Sequence, residues 1–378
     1  MKRLLIICCA IFAYVSASAV EFIYNGPYLQ SVTDNAAYIV WLTDKASEGW
    51  VEIKGAGLKA TYVESQNGVK WVRRDHRIAV TGLKAGQQYE YKVYSKDPKT
   101  GKVISLATNT KGEKLTFKTL DLNKEEITWL MATDIHYNKY IPNLFQRIFT
   151  PERLEGKDFV IFDGDIADSF SSEKRHFNDL FSTITSTFAS NLQYYMARGN
   201  HETRGGAANR YMDFHPTWTG MPYYAFRHGP VFFIFLDSGE DKPDSDIEYS
   251  GTAVFDEYRR NEGEWLAKVL ESKECKEAPF RIVVNHIPLS PGGWHGGRHA
   301  HAMFAPHLEK ADITIMLSGH LHRYSYRKEG KNNKTFPTMI IGADGYLDVK
   351  ANSKTLTLER KDLEGNVQHT FVFESKKK

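Results

Sequence analysis

The chain has 378 residues, 42% hydrophobic and 25% charged, the balance of an ordinary globular protein long enough for two domains. Its formal net charge is +3; setting aside the first 19 residues leaves 47 basic against 46 acidic side chains. A net +1 argues against a nucleic-acid surface, and the composition argues against extended disorder.

Lys2 and Arg3 open the chain, Leu4 to Val15 form an apolar stretch, and Ala17-Ser18-Ala19 is a small-residue cleavage site. This pattern predicts a signal peptide over residues 1–19 and a periplasmic or secreted product. The apolar stretch is too short to span a bilayer, so no transmembrane segment is expected after cleavage. Cys8 and Cys9 leave with the leader, and Cys275 alone cannot make an internal disulfide, which suits a bacterial periplasm or outer surface. The charged neighbours in Lys273-Glu274-Cys275-Lys276 predict a solvent-facing thiol.

Residues 20–122 read as short strands. Ala37 to Leu42 is β-branched and aromatic, Val51 to Lys54 alternates with period two, and His76 to Val80 and Tyr89 to Tyr94 follow. Gly55-Ala56-Gly57 and Lys84-Ala85-Gly86 supply turns. Several short strands without a helical pattern predict an all-β sandwich. Gly26-Pro27-Tyr28-Leu29-Gln30, Val40-Trp41 and Val80-Thr81-Gly82-Leu83 resemble the fibronectin type III-like (immunoglobulin-like) domain that precedes the catalytic domain in purple acid phosphatases.

Over residues 123–378, apolar runs at Ile127–Ala132, Phe159–Phe162, Leu192–Ala197, Val231–Leu236, Arg281–Val284, Ile313–Leu317 and Met339–Ile341 alternate with helical spacing at Ser172–Ala189 and Glu257–Ser272. In the second helical stretch Tyr258, Trp265, Leu266, Val269 and Leu270 line one apolar face. Leu356–Leu358 and Thr370–Phe373, flanking Glu364-Gly365-Asn366, predict a closing hairpin. Alternating strand and helix predict a layered α/β domain.

Five motifs stand at the ends of those runs: Asp134-Ile135-His136, Gly164-Asp165, Gly199-Asn200-His201-Glu202, Asn285-His286 and Gly319-His320-Leu321-His322. Ligands collect at the carboxyl ends of strands in α/β sheets, and Gly164, Gly199 and Gly319 let the backbone turn there. Each motif alone is weak, since Asp-x-His also serves as a helix cap. Together they offer carboxylate, imidazole and amide oxygen, donors that suit zinc, manganese or iron.

The ordered set resembles the calcineurin-like metallophosphoesterase superfamily, and with the N-terminal part the chain looks like a bacterial relative of the purple acid phosphatases. The resemblance implies a four-layer α-β-β-α sandwich binding two divalent metals (zinc, iron or manganese). It implies that Asp134, His136 and His322 bind the first, that Asn200, His286 and His320 bind the second, and that Asp165 bridges them. It also implies hydrolysis of a phosphate monoester by a metal-bridging hydroxide, with His201 assisting the leaving group beside Asp165 and Asn200. The alternatives are a phosphodiesterase or nucleotide hydrolase of the same superfamily, or an inactive binding protein. One departure matters: purple acid phosphatases carry Gly-Asp-x-x-Tyr, whereas this chain has Gly164-Asp165-Ile166-Ala167-Asp168 and His136 in place of a glycine. A ferric-tyrosinate site is therefore not expected, and Asp168 is either an acceptor for a ligand histidine or an exposed helix cap.

Pro291 to His301 packs three His, one Arg and four Gly into one stretch and reads as a loop near the substrate. His295 and His299 are candidates for facing the phosphate, and Arg298 for gripping a phosphoryl oxygen. Arg204 is expected at the pocket edge, while Tyr211, Trp218, Tyr223 and Tyr224 are expected mainly to pack.

Overall fold

The computed structural model describes residues 20–21, 26–141, 143–171, 181–329 and 335–376. The leader pattern and residues 172–180 of the expected Ser172–Ala189 helix lie outside these. Among the described residues no helix is long and apolar enough to cross a membrane.

The N-terminal region is all β, but the two expected strands Ala37–Leu42 and Trp50–Lys54 are one. A 20-residue strand, Ala36–Gly55, pairs through its first half with Tyr28–Gln30 and Val72–Thr81. Its second half pairs with Leu58–Val63 and Gln88–Lys96. A register break between Leu42 and Ser47 lets one strand serve both halves. Leu29, Ile39, Trp41, Val51, Ile53, Val80, Tyr91 and Val93 fill the core between them.

His76 is buried in this region, with Nε2 2.8 Å from Ser47 Oγ and its ring stacked on Trp41. Burial pushes its imidazole down to about 3. The unfolded chain therefore takes up this proton first, near pH 6.5, so stability present above that pH is lost as the pH falls toward 3. The expected loss from His76 alone is about 2 kcal/mol between pH 7 and pH 5. Urea denaturation at the two pH values checks it: His76→Gln should flatten the dependence, and an unchanged slope would remove His76 as its source.

Two six-stranded sheets follow. In the first, Glu126–Ala132 pairs in parallel with Phe159–Asp163, which pairs in parallel with Tyr194–Ala197. Its other edge is antiparallel: Gly345–Asn352, Thr355–Asp362 and Val367–Glu374, the last two being the expected hairpin with Leu356 opposite Phe373. In the second sheet, Val231–Phe235, Phe280–Val284, Ile315–Ser318 and Thr338–Ile340 run parallel, edged by Tyr224–His228 and Ser325–Arg327.

The central parallel strands read as unbroken apolar runs because both faces are buried. Trp129, Met131, Phe159, Phe233, Ile282, Leu317 and Val349 pack between the sheets. Phe255–Leu270 and His295–Leu308 cover the outer face of the second sheet through Leu266, Leu270, Ala300, Phe304 and Leu308. Leu144–Ile148 and Ser182–Ile184 lie over the first, giving the four α-β-β-α layers.

Two expectations change. Cys275 is buried against this second helical layer, not facing solvent. The buried face of Phe255–Leu270 includes Arg259, Glu262 and Gly263 beside Leu266 and Leu270, with Trp265 and Val269 only partly covered.

The β region is fastened to the layered region by buried tyrosine hydroxyls and by the indole of Trp218, which is 40% exposed. Tyr28 Oη donates to Phe214 O at 2.9 Å, Tyr91 Oη to Ser190 O at 2.6 Å, and Tyr195 Oη to Val32 O at 2.7 Å. Trp218 donates to Ser31 O at 2.7 Å and stacks on Tyr38. Tyr211, Tyr223 and Tyr224 are buried, so most of the aromatics after His201 pack as expected.

Candidate metal centre

The five motifs converge, and they come from both sheets of the α-β-β-α arrangement. Asp134 and His136 follow Glu126–Ala132, Asp165 follows Phe159–Asp163, and Asn200 follows Tyr194–Ala197, all in the first sheet. His286 follows Phe280–Val284, and His320 and His322 follow Ile315–Ser318, in the second. The cluster therefore sits where the carboxyl ends of both sheets meet.

Delivering so many side chains to one point strains the turns. Asp134, His136, Asp165, His320 and His322 all adopt positive φ, between 44° and 70°, a region non-glycine residues seldom occupy and which gathers at functional sites. Glycine is needed where backbone passes a ligand: a Cβ at Gly319 would collide with Thr133 Oγ1 and crowd Asp134, and one at Gly199 would strike Asp165.

Asp165 Oδ2 is the hub. It lies 3.0 Å from His286 Nε2, 3.9 Å from His136 Nε2 and 3.9 Å from His201 Nε2. On one side, His136 Nε2 faces His322 Nε2 at 3.2 Å, with Asp134 Oδ1 3.3 Å from His322 Nε2. On the other, Asn200 Oδ1 is 3.0 Å from His320 Nδ1. Three groups can each hold a cation: Asp134–His136–His322, His136–Asp165–His201 and Asp165–His286–His320.

The floor is closed and one side is open. The side chains of Asp134, Asp165 and His286 are 0–2% exposed, whereas His201 is 21% and His322 41% exposed. Burial pushes His136 and His320 each down to about 4, so both carry free lone pairs at neutral pH. Burial opposes charge on Asp165 and on His286, but each outweighs that for the other, holding Asp165 low and His286 high. A field of this kind favours a cation, and the thiolate-free donor set fits two divalent metals.

Residues behind the cluster hold it still. His286 Nδ1 is 2.5 Å from Asp163 O, which aims Nε2 at Asp165. Glu202, quoted in its motif without a role, is fully buried. Its carboxylate accepts from the backbone N–H of Gly199 and Asp165 through Oε2, both at 2.9 Å, and from those of Ile166 at 2.9 Å and Ala167 at 3.1 Å through Oε1. One side chain thus ties the Asp165 turn to the Asn200 turn. Asp168 stands beside a ligand histidine and is no helix cap: its Oδ1 is 3.7 Å from His136 Nδ1, its carboxylate also pairs with Lys139 at 2.8 Å, and its backbone oxygen lies 2.7 Å from His201 Nδ1.

Of the expected substrate residues, Arg204 is at the site. Its guanidinium is 3.4 Å from His201 Nε2, anchored by Glu240, and 33% exposed. Asp241, next to Glu240, lies 3.8 Å from His320 Nε2. Neither acid stood out in the sequence, since the nearest motif of the second sheet begins only at Asn285. The stretch expected as a loop is helical from His295, and it turns two of its histidines elsewhere. His295 Nε2 lies 2.8 Å from Asp256 Oδ1 and His299 Nδ1 3.5 Å from the same oxygen, on the covering helix. Helical i,i+4 spacing stacks these two rings on each other, and Arg298 faces solvent.

The profile of the calcineurin-like phosphoesterases matches residues 128–324, more than half of the chain and every motif of the cluster. The chain belongs to that family. It is also similar to purple acid phosphatase 18 of Arabidopsis thaliana, 23% identical over 337 residues, covering 80% of this chain and 66% of that protein. Purple acid phosphatase 21 of the same plant is 23% identical over 257 residues, covering 62% and 54%. This chain thus spans no more than about two thirds of the length of these relatives. A purple acid phosphatase from yellow lupin (Lupinus luteus) seeds shares the fold at a TM-score of 0.67 and 17% identity, covering 92% of this chain and 74% of that one. As a calcineurin-like phosphoesterase, the chain has buried His and Asp groups consistent with a dinuclear metal site of the purple acid phosphatase type.

Proposed function

We propose that the chain is an exported dinuclear-metal phosphoesterase acting on phosphate monoesters, with a β domain over residues 20–122 and a catalytic domain over 123–378. The observation that carries this reading is the shared oxygen: Asp165 Oδ2 lies within 3.9 Å of His136, His201 and His286. Asp134, His136 and His322 would hold one ion and Asn200, His286 and His320 the other, with Asp165 between them. When bound, such a pair supplies Lewis-acid charge to the phosphoryl group and makes water a nucleophile near neutral pH. Export rests on the leader pattern alone.

The chain's own residues do the rest. Arg204, fixed by Glu240, presents guanidinium N–H groups beside His201, where they donate to non-bridging phosphoryl oxygens. His201 is fixed through Nδ1 to Asp168 O, which leaves Nε2 facing the open side of the cluster. As an imidazolium it donates the Nε2 proton to the departing alkoxide.

His201→Ala should retain metal and slow esters of poorly acidic alcohols by roughly a hundredfold or more, while sparing esters of acidic phenols. Equal slowing across a leaving-group series would remove His201 from that role. Paired assays of p-nitrophenyl phosphate and bis(p-nitrophenyl) phosphate check the monoester assignment, and preference for the diester would overturn it.

A further inference from the structure

A cavity of about 520 Å³ opens beside the cluster, with His320 and Asp241 in its lining. Its walls come from the segment after His286 (Ile287, Leu289) and from the second sheet (Met316, Met339, Ile340). The volume is that of a site for a small organic molecule. Two large apolar side chains in its lining are held in solvent: Trp294, 64% exposed, and Leu321, 54% exposed between His320 and His322. Trp294 stacks on no other ring among the described residues, although the strand and helix cores nearby are dense with ring pairs.

We propose that this cavity seats the alcohol part of the substrate ester, and that this part is a flat apolar group, an aryl ring system. The inference rests on the phosphoesterase reading above. His320 belongs to the cluster and also lines the cavity, so a phosphoryl group held at the cluster has this space beside it for the alcohol. Leaving Trp294 and Leu321 in water costs free energy that a ring laid against them recovers. Arg327, on the Ser325–Arg327 strand, is the permanent cation in the lining and is the place for an anionic substituent on that ring.

Phenyl phosphate and 2-naphthyl phosphate test this, because their alcohols have similar acidity and differ in apolar area. On metal-loaded protein, kcat/KM for the naphthyl ester should exceed that for the phenyl ester by about tenfold, the discrimination an apolar pocket gives for a few carbons. Trp294→Ala removes an exposed ring without opening the core, and Ser325→Trp fills the cavity from its edge; each should bring the ratio close to one. Inhibition by 2-naphthylmethylphosphonate, which cannot be hydrolysed, should follow the same order against benzylphosphonate. A wild-type ratio near one, or a ratio untouched by both substitutions while phenyl phosphate is still hydrolysed, overturns the cavity assignment and leaves the phosphoesterase reading standing. Failure to hydrolyse either ester, with metal bound, overturns both.

Discussion

Asp165→Ala should abolish turnover, lowering it by roughly a thousandfold or more. It should also strip metal from both halves of the cluster, as seen by elemental analysis of the dialysed protein. The reason is geometric. Among the described residues, Asp165 Oδ2 is the one carboxylate oxygen within 4 Å of imidazoles from both sheets, His136 on one side and His286 on the other. Its removal leaves His286, now raised by Asp165 and Asp134, without its nearest carboxylate. Asp134→Ala differs in kind, since Asp134 sits on the His136–His322 side and should cost mainly the metal held there. A variant lacking Asp165 that kept two metals and normal turnover would contradict the assignment of the bridge.

Glu202→Ala should be the most damaging substitution outside the ligand set. Four backbone N–H groups, all on buried residues, converge on this carboxylate, and truncating Glu202 takes away the acceptor they share. Burial raises the carboxyl's pKa, with Asp165 adding to it, and the N–H groups oppose this by stabilising the anion. Deleting a buried charged partner of this kind costs on the order of 3–5 kcal/mol. The loss should appear in chemical denaturation, together with a weakening of metal affinity by roughly ten- to a hundredfold, because the turns bearing Asp165 and Asn200 are no longer tied. A chelator competition reads the second effect separately from the first. Wild-type stability with wild-type metal affinity would show that the two turns hold themselves.

The ligand motifs were legible because each follows an apolar run that had to be a buried strand, and strand ends are where an α/β sheet displays polar side chains. What the pattern did not contain was that the strands divide between two sheets. Local periodicity is the same in either sheet, and only long-range pairing, such as Glu126–Ala132 with the distant Gly345–Asn352, separates them. The role of Glu202 lay within a motif already visible, yet its meaning depends on turns 35 residues or more away in the chain.

The histidine-rich stretch went the other way. Its glycines suggested a loop, but Gly296 and Gly297 are helical and buried, and a Cβ at Gly296 would collide with Glu240 O. Gly296 lets the helix approach the Glu240–Asp241 segment closely, and the same helix carries His295 and His299 toward Asp256. The long strand Ala36–Gly55 was read as two because polar Thr43 to Glu48 interrupts the alternation, and the register break falls there. Buried Cys275 shows the reverse error: charged neighbours on a short helix say nothing about which way the middle residue faces.

The most direct test is an anomalous difference map from crystals of the metal-loaded protein, collected at the absorption edge of the metal found by elemental analysis. Two peaks are expected, one among Asp134, His136 and His322 and one among Asn200, His286 and His320, with Asp165 touching both. A single peak, or peaks away from Asp165, would contradict the shared-carboxylate centre on which the proposed chemistry depends.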